Sequence, residues 1–237
     1  MLKPIMEAYR KDHRDAVFQM ERPLGSSGAI KALTAGAIDI AAVSRALKPE
    51  EIARGTKLKS FGKTPLVIVT EQKVPLKTIS TRELENIYSG KTIKWPNGEA
   101  IRVILRPKED ADTKILASFS PGMAEAISRA RQRRGVMIAV TDPESNEAVS
   151  GTIGGIGTSG LTNVIADKLP LNVLALNGVP PSRQNLASGI YPLSKDISFA
   201  TTGTLSAAAA DFLRFIYSKR GRALAEKAGV QITADHP

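Results

Sequence analysis

Gly25-Ser26-Ser27-Gly28-Ala29-Ile30-Lys31-Ala32-Leu33, followed by Ile38-Asp39-Ile40-Ala41-Ala42-Val43 and closed by Ser44-Arg45, is the stretch on which the fold reading turns. Its glycines break the chain, its serines offer hydroxyl N-caps, and Ala29 to Leu33 continues as a helix that stops near Gly36. Ile38 to Val43 then reads as a buried strand. Upstream, Pro4 to His13 has the spacing of an amphipathic helix, and Ala16-Val17-Phe18-Gln19-Met20 alternates like a strand. Downstream, Pro49-Glu50-Glu51-Ile52 reads as a further helix. Strand, helix and strand in this rhythm predict a βαβ unit with largely parallel pairing, and so an α/β fold.

Further along, Thr64 to Thr70 is a continuous apolar strand. Ser80 to Gly90 is a short helix with a consistent start and stop: the Ser80 cap, Glu83 three residues on, and a terminal glycine. Ile101 to Arg106 predicts a strand running into a polar loop and a helix from Thr113, and Gly135 to Val140 and Leu171 to Leu176 predict two more strands. Ser198 to Thr201 adds another, and Ser206 to Ala228 a helix pair punctuated by Gly221. The glycine-dense run Gly151 to Gly160 lacks the spacing and the Lys-Ser/Thr ending of a nucleotide-binding loop, so tight backbone packing between lobes is its expected role. There is no internal repeat and no long Gly/Ser/Pro linker. Two lobes, if present, must therefore be joined by strand-like crossovers.

Composition excludes several function classes. With 42% hydrophobic and 24% charged residues, the chain has no apolar run near the roughly 20 residues that cross a bilayer. The absence of cysteine removes disulfides, thiolate metal sites and a cysteine nucleophile, and two histidines, His13 and His236, make a metal site unexpected. Both are read as solvated. The net charge of +10 suits an anion binder, a nucleic-acid binder or a protein meeting an acidic surface. The one dense basic block, Arg129-Ala130-Arg131-Gln132-Arg133-Arg134, has no interleaved aromatics and reads as the solvated end of a helix, so nucleic acid is not an expected partner.

The motifs just quoted, together with Tyr88-Ser89-Gly90-Lys91 ahead of Trp95-Pro96, Val103-Ile104-Leu105-Arg106-Pro107, Gly154 to Gly157, and Gly189-Ile190-Tyr191-Pro192-Leu193, run in an order that resembles the phosphate-binding proteins of phosphate ABC importers. The resemblance implies a type II periplasmic-binding-protein fold: two α/β lobes around a ligand cleft, joined by two crossover segments. The first lobe would hold residues 1–70 and 193–237, the second residues 71–192. It also implies a solute-binding protein for phosphate or a similar oxyanion, with an ABC permease as membrane partner and a periplasmic or extracytoplasmic location. A monomer with no cofactor, metal or enzymatic activity is expected. The alternative is a cytoplasmic ligand-sensing or regulatory module on the same fold, since no signal peptide is visible ahead of Met1. The family carries a first strand and donor-rich loop before the helix that here opens near Met1, so a misassigned or trimmed start is expected.

A tetrahedral oxyanion losing its water needs many donors, which helix N-termini supply. Micromolar affinity requires roughly 8 kcal/mol, and a hydrogen bond to a charged group contributes about 1.5–3 kcal/mol, so one loop is insufficient. By resemblance, Ser26 donates its hydroxyl and Ser27 and Gly28 their N–H groups; the structural alternative is that the serines only cap the helix. Arg106 matches the family's cleft arginine, the alternative being a surface arginine paired with a carboxylate. Where many phosphate binders have a Ser-Gly-Thr helix start, this chain has Lys108-Glu109-Asp110-Ala111-Asp112-Thr113. Asp110, Asp112 and Thr113 are thus candidate contacts, with Asp112 either accepting the proton of an oxyanion or capping the helix. Ser44-Arg45 stands where some phosphate binders place an aspartate after the serine, which adds charge and removes an acceptor. A serine nucleophile at Ser27 or Ser159 has no plausible histidine base, and nothing else assembles an activated group.

Overall fold

The computed structural model describes residues 1–20, 23–203 and 205–233; His236 lies outside them. In chain order they form α1 (Leu2–Asp12), α2 (Gly25–Thr34), β1 (Ala41–Val43), α3 (Pro49–Ala53), β2 (Lys57–Glu71), β3 (Thr78–Ile79) and α4 (Thr81–Ser89). Next come β4 (Arg102–Leu105), α5 (Ala111–Ser118), α6 (Pro121–Gln132), β5 (Met137–Ile138), α7 (Asp142–Gly151), β6 (Gly155–Gly160) and α8 (Leu161–Ala166). The remainder is β7 (Leu171–Val173), β8 (Ala175–Leu176), α9 (Arg183–Ala187), β9 (Ser194–Thr201), α10 (Ala207–Tyr217), α11 (Lys219–Lys227) and β10 (Gln231–Ile232). The chain divides into two units, Met1–Thr64 with Asp196–Pro237 and Pro65–Lys195, so the boundaries fall inside β2 and β9.

In the second unit the strand order is β2-β6-β4-β5, with β7 on the other side of β2. The run Leu66-Val67-Ile68-Val69 is fully buried. Successive strand residues face opposite sides, and the two sides have separate cores. Leu66 and Ile68 join Leu84, Tyr88, Leu116 and Met123 of α4, α5 and α6, whereas Val67 and Val69 join Val149 and Leu161 of α7 and α8. Such a run, apolar without alternation, is what a sheet covered by helices on both faces requires. The helix after β4 covers one face and the helix after β5 the other, so they diverge at the carboxyl ends of these neighbouring parallel strands.

In the first unit β9 lies between β1 and β2, and β10 adds to β2. Ile5, Met6 and Tyr9 of α1 pack with Phe61, Phe199, Phe212, Ile216 and Tyr217, while Ile30 and Leu33 of α2 pack on Ala41, Val43 and Ala200.

Several expectations hold in detail. Ser80 accepts from Glu83 N, Glu83 reaches back to Ser80 N, and Gly90 closes α4 in the left-handed region at φ 83°. The predicted parallel βαβ start does not. β1 pairs antiparallel with β9, and β2 pairs antiparallel with β6, β7 and β10; β4 pairs parallel with β5 and β6, and β3 with β8. Nor is Ala16 to Met20 a strand: it pairs with no neighbour, Phe18 stacks edge-on to Tyr9 and Phe212, and Val17 is left 90% exposed. Alternation here marks one side chain docked on a core, not a ladder. Gly221 does not separate the last helices. It lies in the first turn of α11, where an added Cβ would meet Phe215 O at 2.2 Å, and the break is at Ser218, whose hydroxyl accepts from Gly221 N.

The glycines at 154–157 pack within the second unit rather than between lobes, against Ala100, Trp95, Val149, Thr152 and Ile104. Gly154 has φ +69°, a Cβ there would lie 2.2 Å from Ala100 O, and its own carbonyl accepts from Trp95 Nε1. Gly154→Ala is therefore expected to lower the unfolding free energy by about 2–3 kcal/mol in urea denaturation. Gly151→Ala, whose added carbon meets nothing within 4 Å, is expected to stay within about 0.5 kcal/mol of the parent.

Candidate functional site

Residue 106 follows the last residue of β4, so its side chain leaves the sheet where α5 and α7 diverge. Arg106 is 4% exposed. Its Nη1 donates to Ala139 O at 3.0 Å, and its Nη2 donates to Asp110 Oδ2 and Asp142 Oδ1, both at 2.9 Å. Its Nε–H is buried without a partner among the described residues. Lys195, the last residue of the unit, places Nζ 2.7 Å from Asp112 Oδ1 and 2.9 Å from Asp142 Oδ2. Arg106, Asp142, Lys195 and Asp112 thus form one ionic chain tying the end of β4, the starts of α5 and α7, and the start of β9.

Local sequence explains the carboxylates. Asp110 is the N-cap of α5 and accepts from Asp112 N at 3.0 Å. Asp142 is the first residue of α7, whose start is set by a capping box between Thr141 and Glu144 and by Pro143. Acidic groups in first turns meet exposed N–H groups and the positive end of the helix dipole. Of the two acids expected at the start of α5, the cap is Asp110, not Asp112. Asp112 turns inward, 1% exposed, and also accepts from Thr158 Oγ1 at 3.2 Å. Thr113 donates its hydroxyl to Arg106 O at 3.2 Å and Arg131 Nη2 donates to the same carbonyl at 2.5 Å, so this residue of the basic block is structural.

Charge states follow from these contacts. Burial favours neutral Lys195, but the two carboxylates outweigh it and hold the ammonium well above its ordinary pKa. Asp142 resists the same burial because Lys195, Arg106 and Asn163 face it, and its pKa is lowered. Asp112 goes the other way, raised by burial and by its acidic neighbours despite the pull of Lys195. Three carboxylates against two cations leave the ring one negative charge in excess when all are ionised.

Five other expected residues meet in the first unit. Ser26 Oγ accepts from Ser44 N at 3.0 Å, and Ser27 Oγ accepts from Arg45 Nε at 3.3 Å. Neither serine caps α2: the helix starts at Gly25 with no side-chain cap, so both stand in its first turn and lock the end of β1 onto it. Gly28 comes within 2.9 Å of Leu24 Cβ for an added Cβ. Arg45 forms a two-pronged pair with Glu51, Nη2 to Oε1 at 2.7 Å and Nη1 to Oε2 at 2.9 Å. That contact, with help from Lys48, lowers the Glu51 pKa from 4.5 to about 2. Outside both groups, His13 stacks on Tyr9 with ring centroids 4.0 Å apart and is 42% exposed on its side chain.

Sequence reasoning missed Asp142, Lys195, Thr158 and Asn163. Thr141-Asp142-Pro143-Glu144 does carry a legible helix-start signal. Lys195 has no local signal, because only the end of β9 brings it to two helix starts.

Lys195→Met strands Asp112 in the interior and is expected to cost about 3–5 kcal/mol of stability, with Asp112→Leu in the same chain recovering a substantial part. Urea unfolding of the single and double variants reads this. In the first unit the Glu51 value is depressed, so its contribution is full above 4.5, the ordinary glutamate value, and is lost as pH falls toward about 2. In acid titrations followed by circular dichroism, Glu51→Gln is expected to flatten that part of the stability profile and to lower stability at neutral pH.

Comparison with known proteins agrees with this architecture. The phosphate-binding protein PstS of Borreliella burgdorferi is 25% identical over 214 residues, spanning 86% of this chain and 76% of the relative. Protein SphX of Synechococcus elongatus is 30% identical over 198 residues, covering 73% of this chain and 56% of its own. Among solved structures, a Clostridium perfringens protein assigned to phosphate ABC transport as its substrate-binding component, with bound phosphate, superposes at TM-score 0.77, 22% identity and 96% and 93% coverage. An ABC-type phosphate transport receptor from Vibrio cholerae superposes at TM-score 0.62, 19% identity and 97% and 93% coverage. The fold is the mixed α/β type II periplasmic-binding-protein fold, and with the family model described as the PBP superfamily domain matching residues 1–220, the chain belongs to that family.

Proposed function

We propose that this chain is the solute-binding component of an ABC importer and that it binds phosphate or a similarly small oxyanion without transforming it. The observation that carries the reading is the placement of Arg106 and Lys195. Two buried cations sit at the carboxyl ends of β4 and β5, where α5 and α7 diverge to opposite faces of the sheet. That is where open α/β sheets bind ligands, and the helix starts add N–H donors. The acceptor positions around Arg106 are filled by the protein's own carboxylate oxygens at 2.9 Å, so the geometry around the guanidinium already suits an oxyanion.

Arg106, Asp110, Asp112 and Thr113 are the proposed ligand group of the second unit. Ser26, Ser27, Gly28, Ser44 and Arg45 are the proposed group of the first. An oxyanion approaching Arg106 must displace a carboxylate or bring a proton for Asp110 or Asp142 to accept, which favours a protonated oxyanion such as hydrogen phosphate. A membrane permease as partner and an extracytoplasmic place of action are part of the same proposal, supported by what the relatives are. No helix of the described residues is long and apolar enough to cross a membrane.

Isothermal titration with phosphate, sulfate, molybdate and tungstate tests the reading. Phosphate is expected to bind in the micromolar range and sulfate more weakly. Arg106→Lys, which keeps the charge and loses the planar fork, is expected to weaken phosphate at least about tenfold, roughly 1.4 kcal/mol. Absence of binding for all four anions would overturn the function.

A further inference from the structure

Three carboxylates, Asp110, Asp112 and Asp142, surround two cations, Arg106 and Lys195, and they differ in how they can carry their charge. The side chains of Asp110 and Asp142 are 18% and 30% exposed, and both have donors besides the cations: Asp112 N for Asp110 and Asn163 Nδ2 for Asp142. Asp112 is 1% exposed. It meets Lys195 Nζ at 2.7 Å and Thr158 Oγ1 at 3.2 Å, and it lines a small cavity with Arg106, Tyr88, Leu116 and Ile127. The charged groups that face it are Lys195 from β9, Arg106 from the end of β4, Asp142 from α7 and Asp110 from its own helix start. Tyr88 of α4 stays neutral there, its hydroxyl pushed up by burial and by Asp112 itself. With one negative charge in excess in the ring, a dianion brought to Arg106 raises the excess to three where little water reaches. Two cations cannot offset that load, so the acid with the least water must give up its charge.

We propose, resting on the anion-binding reading of the site, that Asp112 is its proton-carrying residue: a dianion is held at Arg106 only together with one proton, which resides on the Asp112 carboxyl. Asp112 thereby determines which anion, in which protonation state, the site accepts. The proton comes from water when the anion is fully ionised, like sulfate. It comes from the ligand's own hydroxyl when the ligand is dihydrogen phosphate, which is left as the dianion. Neither atom of the Thr158 contact needs to move, since the new carboxyl O–H donates to Thr158 Oγ1 across the same 3.2 Å while Lys195 keeps its bond to the other oxygen. Burial and the acidic neighbours push the Asp112 pKa up against the pull of Lys195, and a bound anion adds to that push. Affinity for a dianion is therefore highest where Asp112 is protonated before binding, falls about tenfold per pH unit between its values in the free and bound protein, and is lowest above both.

Sulfate and molybdate test this directly, because neither carries a proton that titrates near neutral pH. Calorimetric titration of the full chain with each, in two buffers of different ionisation enthalpy, is expected to show uptake of close to one proton per anion, with affinity falling about tenfold per pH unit through the window of uptake. Asp112→Asn keeps the shape of a protonated carboxyl and is expected to bind both anions without uptake and with flat affinity over that window. Any contribution from the two histidines persists in this variant. A second readout needs no variant to fold: with carboxyl-13C aspartate, one signal is expected to move from the ionised to the protonated range when phosphate is added, and its absence from Asp112→Asn assigns it. Dianion binding without proton uptake, uptake undiminished in Asp112→Asn, or an Asp112 carboxyl that stays ionised in the phosphate complex overturns the proposal and leaves anion binding standing. Failure of phosphate, sulfate and molybdate alike to bind overturns both.

Discussion

The buried ionic chain Asp112–Lys195–Asp142–Arg106–Asp110 is the constraint around which the second unit is organised. Charges are expensive to bury unless each has partners with good geometry. Here the five members come from four points of the fold: the end of one strand, the starts of two helices that leave on opposite faces, and the beginning of a strand late in the chain. Satisfying these charges fixes where those elements begin relative to one another. Relative displacement of these elements would leave a carboxylate or guanidinium unpaired at low exposure.

The proposed function asks one set of atoms to serve both stability and recognition. A cation already solvated by the protein's own carboxylates is a poor trap for a bare dianion, and a better one for a guest that shares protons with its surroundings. The first unit shows a milder version: Arg45 is held by Glu51, while the serines before it tie α2 to β1. In both units the positive groups are pre-oriented by acids, which reduces side-chain disorder but also lowers the net charge offered to a ligand.

Much of the architecture was legible in the chain because it is written locally. The capping box at Ser80, the closing Gly90 and the uninterrupted run Leu66 to Val69 each determine their element without distant help. Strand direction was not legible, because apolar runs carry no information about which neighbour they join: β2 is long enough to meet four partners, and it runs antiparallel to β6, β7 and β10. Several motifs that carried the family resemblance turn out to be scaffolding. Trp95 donates to Gly154 O and Tyr191 donates to Leu66 O, both in the interior. At the site, Arg106 and its following acids could be read from the chain, while Lys195 could not, since its partners lie 53 and 83 positions away (195 − 142 and 195 − 112). Residues that act by long-range convergence leave no spacing rule behind.

The division of the chain has a consequence for biogenesis. The second unit is one continuous stretch, Pro65–Lys195, whereas the first is assembled from both ends. Its core joins α1 to α10, and the hydrogen bond from Tyr9 to Asp211 spans 202 positions. During synthesis from the N-terminus, the second unit can complete its core as soon as it emerges. The apolar face of α1, with Ile5, Met6 and Tyr9, must meanwhile wait for Phe212 and Ile216. Over that interval the nascent chain carries an uncovered greasy helix, a natural hold for a chaperone.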